Sequence, residues 1–124
     1  MVKDDLKYTK EHEWLRIEGS EAIVGVTDFA QGELGDIVFV ELPSVGASAE
    51  AGASFGTIEA VKTVAELYAP VSGEVVAVND QLADNAALIN SDCYGDGWMV
   101  RIRMTKPGEV DALLSPAEYK EMIG

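Results

Sequence analysis

The 124-residue sequence contains only one cysteine, Cys93, and one histidine, His12. A single cysteine cannot form an internal disulfide and suits a protein from a reducing compartment. One histidine and one cysteine also fall short of a tetrahedral zinc site, and no second histidine completes an HExxH motif. These absences argue against both a disulfide-stabilised fold and a metal centre.

Basic residues are scarce. Nine Lys and Arg residues stand against 22 Asp and Glu residues, which gives a formal net charge of −13 at pH 7. This charge repels phosphate backbones and anionic lipid heads, so we expect no nucleic-acid and no membrane partner. It favours encounters with basic protein surfaces, although acidity is also a general means of staying soluble.

Long apolar runs are missing as well. No stretch approaches the roughly 18 apolar residues of a membrane helix, and the start, MVKDDLKYTK, lacks the apolar core of a signal peptide. We therefore expect a protein of the bacterial cytoplasm, or of the mitochondrial matrix if the chain is processed. With 48% hydrophobic residues in 13.3 kDa, the sequence predicts one folded domain over residues 1–124.

Motifs for intrinsic catalysis are absent: the sequence contains no GxSxG, GxGxxG or GxxxxGK[ST]. A nucleophilic pair of Cys93 and His12 stays open on sequence alone, since such partners meet in space rather than in order. However, Asp92 and Asp96 flank Cys93 and would raise the pKa of its thiol rather than activate it. The sequence thus favours a protein without catalysis of its own.

The first third of the chain has the alternation typical of strands. Apolar residues two apart over 14–26, with a turn at Glu18-Gly19-Ser20, predict a β-hairpin. Thr27 predicts the cap of a single helical turn that ends at Gly32 or Gly35. The β-branched run 37–42, stopped by Pro43, predicts the next strand.

The rest of the chain predicts further short strands and a terminal helix. Strands are expected within 45–59, over 71–79 and over 98–103, and a loop with one helical turn is expected over 80–97. Ser115-Pro116-Ala117-Glu118 is a capping box with proline at the first helical position, which predicts a helix over 115–123 that packs Tyr119 on the sheets. The pattern indicates a small, mostly β domain.

Lys62 stands out in the segment 56–70, GTIEAVKTVAELYAP, where two extended halves meet without an Asn-Gly or Asp-Gly turn. An ordinary solvated lysine is the simplest interpretation. Val61 and Thr63 nevertheless favour extended backbone up to the lysine, which would project from a stiff hairpin. Few lysines lie near it in sequence, and the carboxylates of Glu59 and Glu66 favour its charged form, so reaction at this amine would need a dedicated enzyme.

The segments EAVK at 59–62 and APVSGEV at 69–75 resemble the lipoyl-lysine hairpin of the glycine cleavage system H-protein family. A lipoyl hairpin alone is shared with other lipoyl and biotinyl domains. The flanking blocks that strengthen the resemblance are YTKEHEW at 8–14, GVTD at 25–28, LGDIVFVELP at 34–43, LINSD at 88–92 and GDGW at 95–98. The resemblance covers about residues 6–119.

This resemblance implies a barrel-sandwich hybrid, like that of lipoyl domains, with two antiparallel sheets, short peripheral helices and a C-terminal helix. It also implies lipoic acid in amide linkage to Lys62, attached by a lipoate ligase or lipoyltransferase. The lipoyl group would carry the aminomethyl group of glycine from a pyridoxal-phosphate glycine decarboxylase to a tetrahydrofolate-dependent aminomethyltransferase. A FAD-containing dihydrolipoyl dehydrogenase would then reoxidise it. The chain itself would be a non-catalytic, monomeric carrier.

The same resemblance implies further site residues. The His12-Glu13-Trp14 block and Glu66 match family positions near the cleft into which the loaded arm folds, and they would shield its cargo from water. With Glu59 beside the lysine, the candidate cofactor-binding set is Lys62, Glu59, Glu66, Glu13 and His12. Glu13 is alternatively interpreted as the cap of a loop, and the neighbouring tryptophan at position 14 as a core residue.

The sequence departs from the usual family pattern at four positions. Ala60, Thr63, Phe29 and Cys93 stand where Ser, Ala, His and Pro are usual. Because two of these flank the lysine, a lipoate-bearing paralogue in lipoyl relay or sulfur metabolism stays open as an alternative. An unmodified β-rich interaction module also stays open, whereas a biotinyl carrier is disfavoured because Val61 and Thr63 replace the methionines that usually flank biotinylated lysine.

Overall fold

The computed structural model describes residues 2–124, and most of its regular structure is β-strand. Within these residues the strands are β1 Lys7–Tyr8, β2 Glu13–Glu18, β3 Glu21–Val26, β4 Ile37–Glu41, β5 Ser48–Ala49, β6 Ser54–Ala60, β7 Val64–Tyr68, β8 Gly73–Val78 and β9 Val100–Met104. The helices are α1 Asp28–Leu34, α2 Gln81–Asp84, α3 Leu88–Ser91 and α4 Pro116–Ile123, with a 3₁₀ helix at Pro107–Ala112.

The strands form two sheets. One has six strands in the order β1-β2-β3-β9-β8-β5, and the other has three in the order β4-β6-β7. Every pairing within them is antiparallel. Both sheets contribute to one buried apolar cluster, whose members include Val24, Ile58, Leu67, Val75 and Ile102. The predicted mostly β fold with two antiparallel sheets and few short helices is confirmed.

The predicted hairpin at 14–26 forms as β2 and β3, with Gly19 in the turn at φ 64°. Gly25 lies opposite Trp14 in the register. A Cβ atom at Gly25 would stand 2.7 Å from the indole ring, so only glycine leaves room for this side chain. Trp14 is fully buried, which confirms its interpretation as a core residue.

The helical turn predicted after Thr27 is longer than expected. The Thr27 hydroxyl accepts the backbone N–H of Ala30 over 3.2 Å, which is the expected N-cap. The helix then runs to Leu34 and ends at Gly35, which adopts φ 77°. Gly32 therefore lies inside the helix rather than at its end.

Two local predictions needed correction. The single helical turn predicted within 80–97 is in fact a pair of four-residue helices, α2 and α3. The last strand begins at Val100 rather than at residue 98. The short strand β1 had no alternating pattern of its own and was not predicted.

The C-terminal helix α4 forms as predicted. Ser115 and Glu118 form the reciprocal capping box, with Pro116 at the start of the helix. Tyr119 is fully buried and stacks on Tyr8 with 4.5 Å between ring centroids. The helix thereby packs against β1, an edge strand of the six-stranded sheet. Within the described residues no helix is both long and apolar enough to cross a membrane.

Candidate functional site

Lys62 lies at the tip of the hairpin formed by β6 and β7. The three-residue turn is closed by the backbone N–H of Ala60, which donates to the carbonyl oxygen of Thr63 over 2.8 Å. Val61 donates its N–H to the carbonyl oxygen of Asp36 over 3.0 Å, which ties the turn to the corner between α1 and β4. The lysine side chain is exposed, and the ion pairs formed among residues 2–124 do not include it. Its amine is thus accessible on a fixed backbone.

Asn90 holds the corner on which this turn rests. Its side-chain oxygen accepts the N–H of Ile37 over 2.9 Å, and its amide nitrogen donates to the carbonyl oxygen of Gly35 over 2.9 Å. The same nitrogen donates to the side chain of Gln31 over 3.0 Å. All the polar atoms of one amide thus fix the end of α1 and the start of β4. The structure gives the LINSD segment of the sequence a clear positioning role.

A cleft of about 290 Å³ opens between α1, the loop before β2, and strand β7. Its apolar lining combines a helix face with inner residues of the sheets: Val26, Phe29, Ala30, Leu34, Ile58, Ala65 and Leu67. Since β7 begins two residues after Lys62, the cleft lies along the same hairpin that presents the lysine. An apolar chain attached at the tip could fold back into it.

Polar and acidic side chains complete the cleft: Glu11, His12, Glu13, Glu33 and Glu66. The structure therefore brings together three of the residues predicted from sequence, His12, Glu13 and Glu66. Glu59 does not line the cleft; it pairs with Phe39 on one side and with Val64 on the other. It belongs to the outer row of the three-stranded sheet.

Glu13 is a buried acid with only 2% of its surface exposed. The Thr9 hydroxyl donates to one carboxylate oxygen over 2.6 Å, and the backbone N–H of Tyr68 donates to the other over 3.3 Å. Burial raises the pKa of Glu13 to about 7, against these two hydrogen bonds, which lower it. The backbone N–H of Glu13 also donates to the hydroxyl of Thr9, so Glu13 caps the loop over residues 9–13. It also joins that loop to β7, so the site and loop-cap interpretations are compatible.

His12 adopts a left-handed backbone conformation with φ 70°, which turns the chain into β2. Its Nδ1 atom lies 2.8 Å from the hydroxyl of Tyr119, which lies 2.7 Å from the hydroxyl of Thr27. The imidazole also packs on Phe29, with 4.8 Å between centroids. Burial lowers the pKa of His12. The ring is thus fixed between α4 and α1 at one wall of the cleft.

Cys93 is remote from this chemistry. It is buried and lines a different pocket from that of His12. Burial, with the negative charge of Asp28 as a second cause, raises the pKa of its thiol to about 11. Its carbonyl oxygen accepts the indole N–H of Trp14 over 2.9 Å. The residue packs rather than reacts, so the Cys93–His12 pair left open from sequence does not form.

Sequence reasoning missed several residues that shape the cleft. Phe29 and Glu33 lie four positions apart and so share one face of α1, a spacing that could have indicated a common surface. Thr9 and Tyr68 act through hydrogen bonds to Glu13, and no sequence pattern points to them. Among residues 2–124 no group of three or more His, Cys, Asp or Glu side chains is placed to hold a metal ion.

A rigid β hairpin that presents one accessible lysine beside an apolar cleft is the architecture of a carrier domain. The family model for glycine cleavage H-protein matches residues 6–124. The chain belongs to the glycine cleavage H-protein family. The expected role, a non-catalytic carrier of the glycine cleavage system, is confirmed by this membership, and the family bears lipoate in general.

Individual relatives agree over nearly the whole chain. The glycine cleavage system H protein of Chlorobaculum parvum is 56% identical over 99% of this chain and 98% of its own length. That of Bacillus cereus is 54% identical over 98% of this chain and 95% of its own length. A crystal structure of the H protein from Mycobacterium marinum superposes with a TM-score of 0.91 at 41% identity, and the match covers 99% of both chains.

Proposed function

We propose that Lys62 is the lipoyl attachment site and that this chain is the carrier that moves the aminomethyl group of glycine between enzymes. The observation that supports this most directly is the accessible Lys62 at the hairpin tip, beside Val61, whose backbone N–H donates to the carbonyl oxygen of Asp36. Bound lipoate would supply a dithiolane that accepts the aminomethyl group and a dithiol that is later reoxidised. The protein would supply a rigid anchor, a cleft and a surface that its partners recognise.

Attachment requires the neutral amine of Lys62. Its nitrogen attacks the carbonyl carbon of an activated lipoate, so that an N–C bond forms and the bond to the activating group breaks. The proton lost from the amine passes to a base of the attaching enzyme, a lipoate ligase or lipoyltransferase. An exposed lysine outside any ion pair of the described chain suits this step, because no partner has to be displaced first.

The cleft suits an apolar arm that ends in a polar cargo. Ile58, Ala65 and Leu67 offer apolar contacts along the hairpin, while the acidic residues Glu13 and Glu66 also line the cleft. We propose that His12, Glu13 and Glu66 contact the folded arm, exclude water and hold an amine by hydrogen bonds. Glu59 would act outside the cleft, as part of the acidic frame beside Lys62.

The proposed partners follow from the one-carbon chemistry of the family. They are a pyridoxal-phosphate glycine decarboxylase, a tetrahydrofolate-dependent aminomethyltransferase and a FAD-containing dihydrolipoyl dehydrogenase. A flexible arm on a fixed tip raises the effective concentration of its reactive end at each active site, so the complexes need not be tight. We place the protein in the bacterial cytoplasm, as its bacterial relatives favour, and as a monomer, since a charge of −13 opposes self-association.

Reconstitution with glycine decarboxylase tests this function. Lipoylated protein should support glycine-dependent exchange of labelled CO₂, whereas the Lys62→Arg variant should support none, because guanidinium keeps the charge and forms no such amide. Lys10→Arg, at another exposed lysine, is the matched control and should behave like the wild type. Exchange that persists in Lys62→Arg would refute the proposal. A lipoylated wild type that supports no exchange would instead point to a paralogue in lipoyl relay or sulfur metabolism.

A further inference from the structure

A chain of three polar groups links the C-terminal helix to the wall of the cleft. The Tyr119 hydroxyl lies 2.8 Å from Nδ1 of His12 and 2.7 Å from the hydroxyl of Thr27. Thr27 and Tyr119 are fully buried, so water does not replace a missing partner. The Thr27 oxygen also accepts the backbone N–H of Ala30 over 3.2 Å. Each hydrogen in this chain of groups therefore needs an acceptor within the protein.

One direction of hydrogen bonding satisfies all three groups. The Thr27 hydroxyl donates to the Tyr119 oxygen, and the Tyr119 hydroxyl donates to the lone pair of His12 Nδ1. In the reverse direction Nδ1–H donates to Tyr119, and Tyr119 donates to Thr27. The Thr27 hydrogen is then left without an acceptor among residues 2–124. An unpaired buried hydroxyl is costly, which favours the first direction by roughly tenfold or more.

The favoured direction fixes the protonation of the imidazole. Because Nδ1 accepts a hydrogen bond, the single ring proton of neutral His12 lies on Nε2. An imidazolium carries a proton on Nδ1 as well, so it would impose the unfavourable direction on Tyr119 and Thr27. Burial also lowers the pKa of His12, against the carboxylates of Glu11 and Glu33, which raise it. Hydrogen bonding and burial thus both favour the neutral ring.

The backbone of His12 fixes the position of this ring. Its φ of 70° is uncommon for a residue other than glycine and persists where the surroundings determine it. Its carbonyl oxygen accepts the N–H of Thr27 over 3.0 Å, and its own N–H donates to the carbonyl oxygen of Thr9 over 3.2 Å. The imidazole packs on Phe29, which also lines the cleft. Nε2 forms no hydrogen bond within residues 2–124, so it is the ring nitrogen left for a ligand.

We infer that Tyr119 is a positioning residue that holds His12 in the neutral Nε2–H form, so that His12 presents a hydrogen-bond donor to the occupant of the cleft. This inference rests on the proposed function, since the occupant is the folded lipoyl arm. The arm has acceptors for this donor in its amide oxygen and its sulfur atoms. The N–H groups of a carried amine need acceptors instead, and that need falls to Glu13 and Glu66, which line the same cleft.

The assignment also determines what His12 does not do. A histidine with an unprotonated Nε2 would act as a base towards a carried ammonium group. In the Nε2–H form the remaining lone pair lies on Nδ1, where the Tyr119 hydroxyl already occupies it. His12 therefore contacts the arm without taking a proton from its cargo.

The chain has one histidine, so its ring nitrogens give one set of NMR signals when the protein is made without a histidine tag. Long-range proton–nitrogen correlation of the unlipoylated chain at about pH 8, where an imidazole is neutral, distinguishes a protonated from an unprotonated ring nitrogen. We expect Nε2 to be protonated in nearly all molecules. Nδ1 should be unprotonated and coupled to the hydroxyl proton of Tyr119. A proton on Nδ1 in the wild type would overturn the inference.

Tyr119→Phe tests the role of the hydroxyl, since it keeps the ring that stacks on Tyr8. Without that donor, His12 should lose its single form and show a mixture of the two tautomers. Tyr8→Phe is the matched control, because it removes the hydroxyl of the other ring in the stack, which bonds to Lys3, and it should leave the His12 signals unchanged. A folded Tyr119→Phe protein with wild-type signals would overturn the positioning role. If this variant does not fold, the coupling of Nδ1 to the hydroxyl proton in the wild type decides.

The lipoylated chain, loaded by glycine decarboxylase with glycine, tests the donor role. The Nε2–H signal should shift on loading and exchange more slowly with water, because the arm covers this group and accepts its hydrogen bond. A loaded chain with an unchanged Nε2–H signal would overturn the donor role. A chain that is not lipoylated or not loaded would instead refute the proposed function, while the signals of the unlipoylated chain still decide whether Tyr119 positions His12.

Discussion

The backbone N–H of Val61 donates to the carbonyl oxygen of Asp36 over 3.0 Å, and this bond joins the lysine turn to a different part of the chain. A turn of three exposed residues would otherwise be held only by the two strands that it connects. The corner that accepts the bond is fixed by Asn90, which bonds to Gly35 and Ile37. The position of the lysine thus depends on an amide far from it in sequence.

Asn90→Ala should therefore loosen the hairpin tip. It leaves the N–H of Ile37 and the carbonyl of Gly35 without their partner, so we expect the free energy of unfolding to fall by about 1–3 kcal/mol. Hydrogen exchange at the Val61 amide should accelerate more than at the Val75 amide in the other sheet. Ser91→Ala, at an exposed neighbouring position, is the control and should change neither. Unchanged exchange at Val61 in Asn90→Ala would show that the corner does not hold the turn.

Glu13 predicts a specific dependence of stability on pH. Its pKa is raised from 4.5 to about 7 by burial, so between these values the folded protein binds more protons than the unfolded chain. The contribution of Glu13 to the free energy of unfolding is fully present below about pH 4.5 and is lost as the pH rises through about 7. The loss is on the order of 3 kcal/mol.

Denaturant unfolding of the wild type and Glu13→Gln at several pH values measures this effect. As the pH rises from about 4.5 to about 7, the free energy of unfolding of the wild type should fall relative to that of Glu13→Gln, because glutamine does not ionise. The lowered pKa of His12 acts in the opposite direction, yet it is common to both proteins and cancels in the difference. A difference that is independent of pH would contradict the raised pKa.

Two glycines should respond in opposite ways to alanine. At Gly25 a Cβ would stand 2.7 Å from the Trp14 ring, so Gly25→Ala should displace a buried indole and destabilise the fold by about 1–3 kcal/mol. At Gly32, inside α1, a Cβ meets nothing within 4 Å, so Gly32→Ala should stabilise by about 0.5–1 kcal/mol. Thermal unfolding checks both, and a Gly25→Ala protein as stable as the wild type would show that the indole can move aside.

The sequence predicted best the elements whose determinants are local. The hairpin of β2 and β3, the Thr27 cap and the capping box of α4 all depend on residues within a few positions of one another. The resemblance extended this to the two-sheet fold and placed His12, Glu13 and Glu66 near a common cleft. Glu59 was grouped with them because it is close to Lys62 in sequence, although strand pairing places it in the outer row of the smaller sheet.

The supports of the site could not be predicted because they join distant segments. The contact of His12 with Tyr119 spans 107 positions, and that of Asn90 with Ile37 spans 53. The exposed apolar pair at Val38 and Phe39 depends on a bulge, which only the pairing of β4 with β6 reveals. Alternation along a single strand does not show such a shift in register.

The most direct test of the central claim, that Lys62 is the anchor of the arm, is the mass of the natively expressed chain followed by peptide mapping. We predict one lipoyl increment, located on the peptide that contains Lys62, and no increment in Lys62→Arg, whose thermal unfolding should match that of the wild type because the side chain is exposed. An unmodified chain from a host that lipoylates its own proteins, or an increment on any other lysine, would contradict the account.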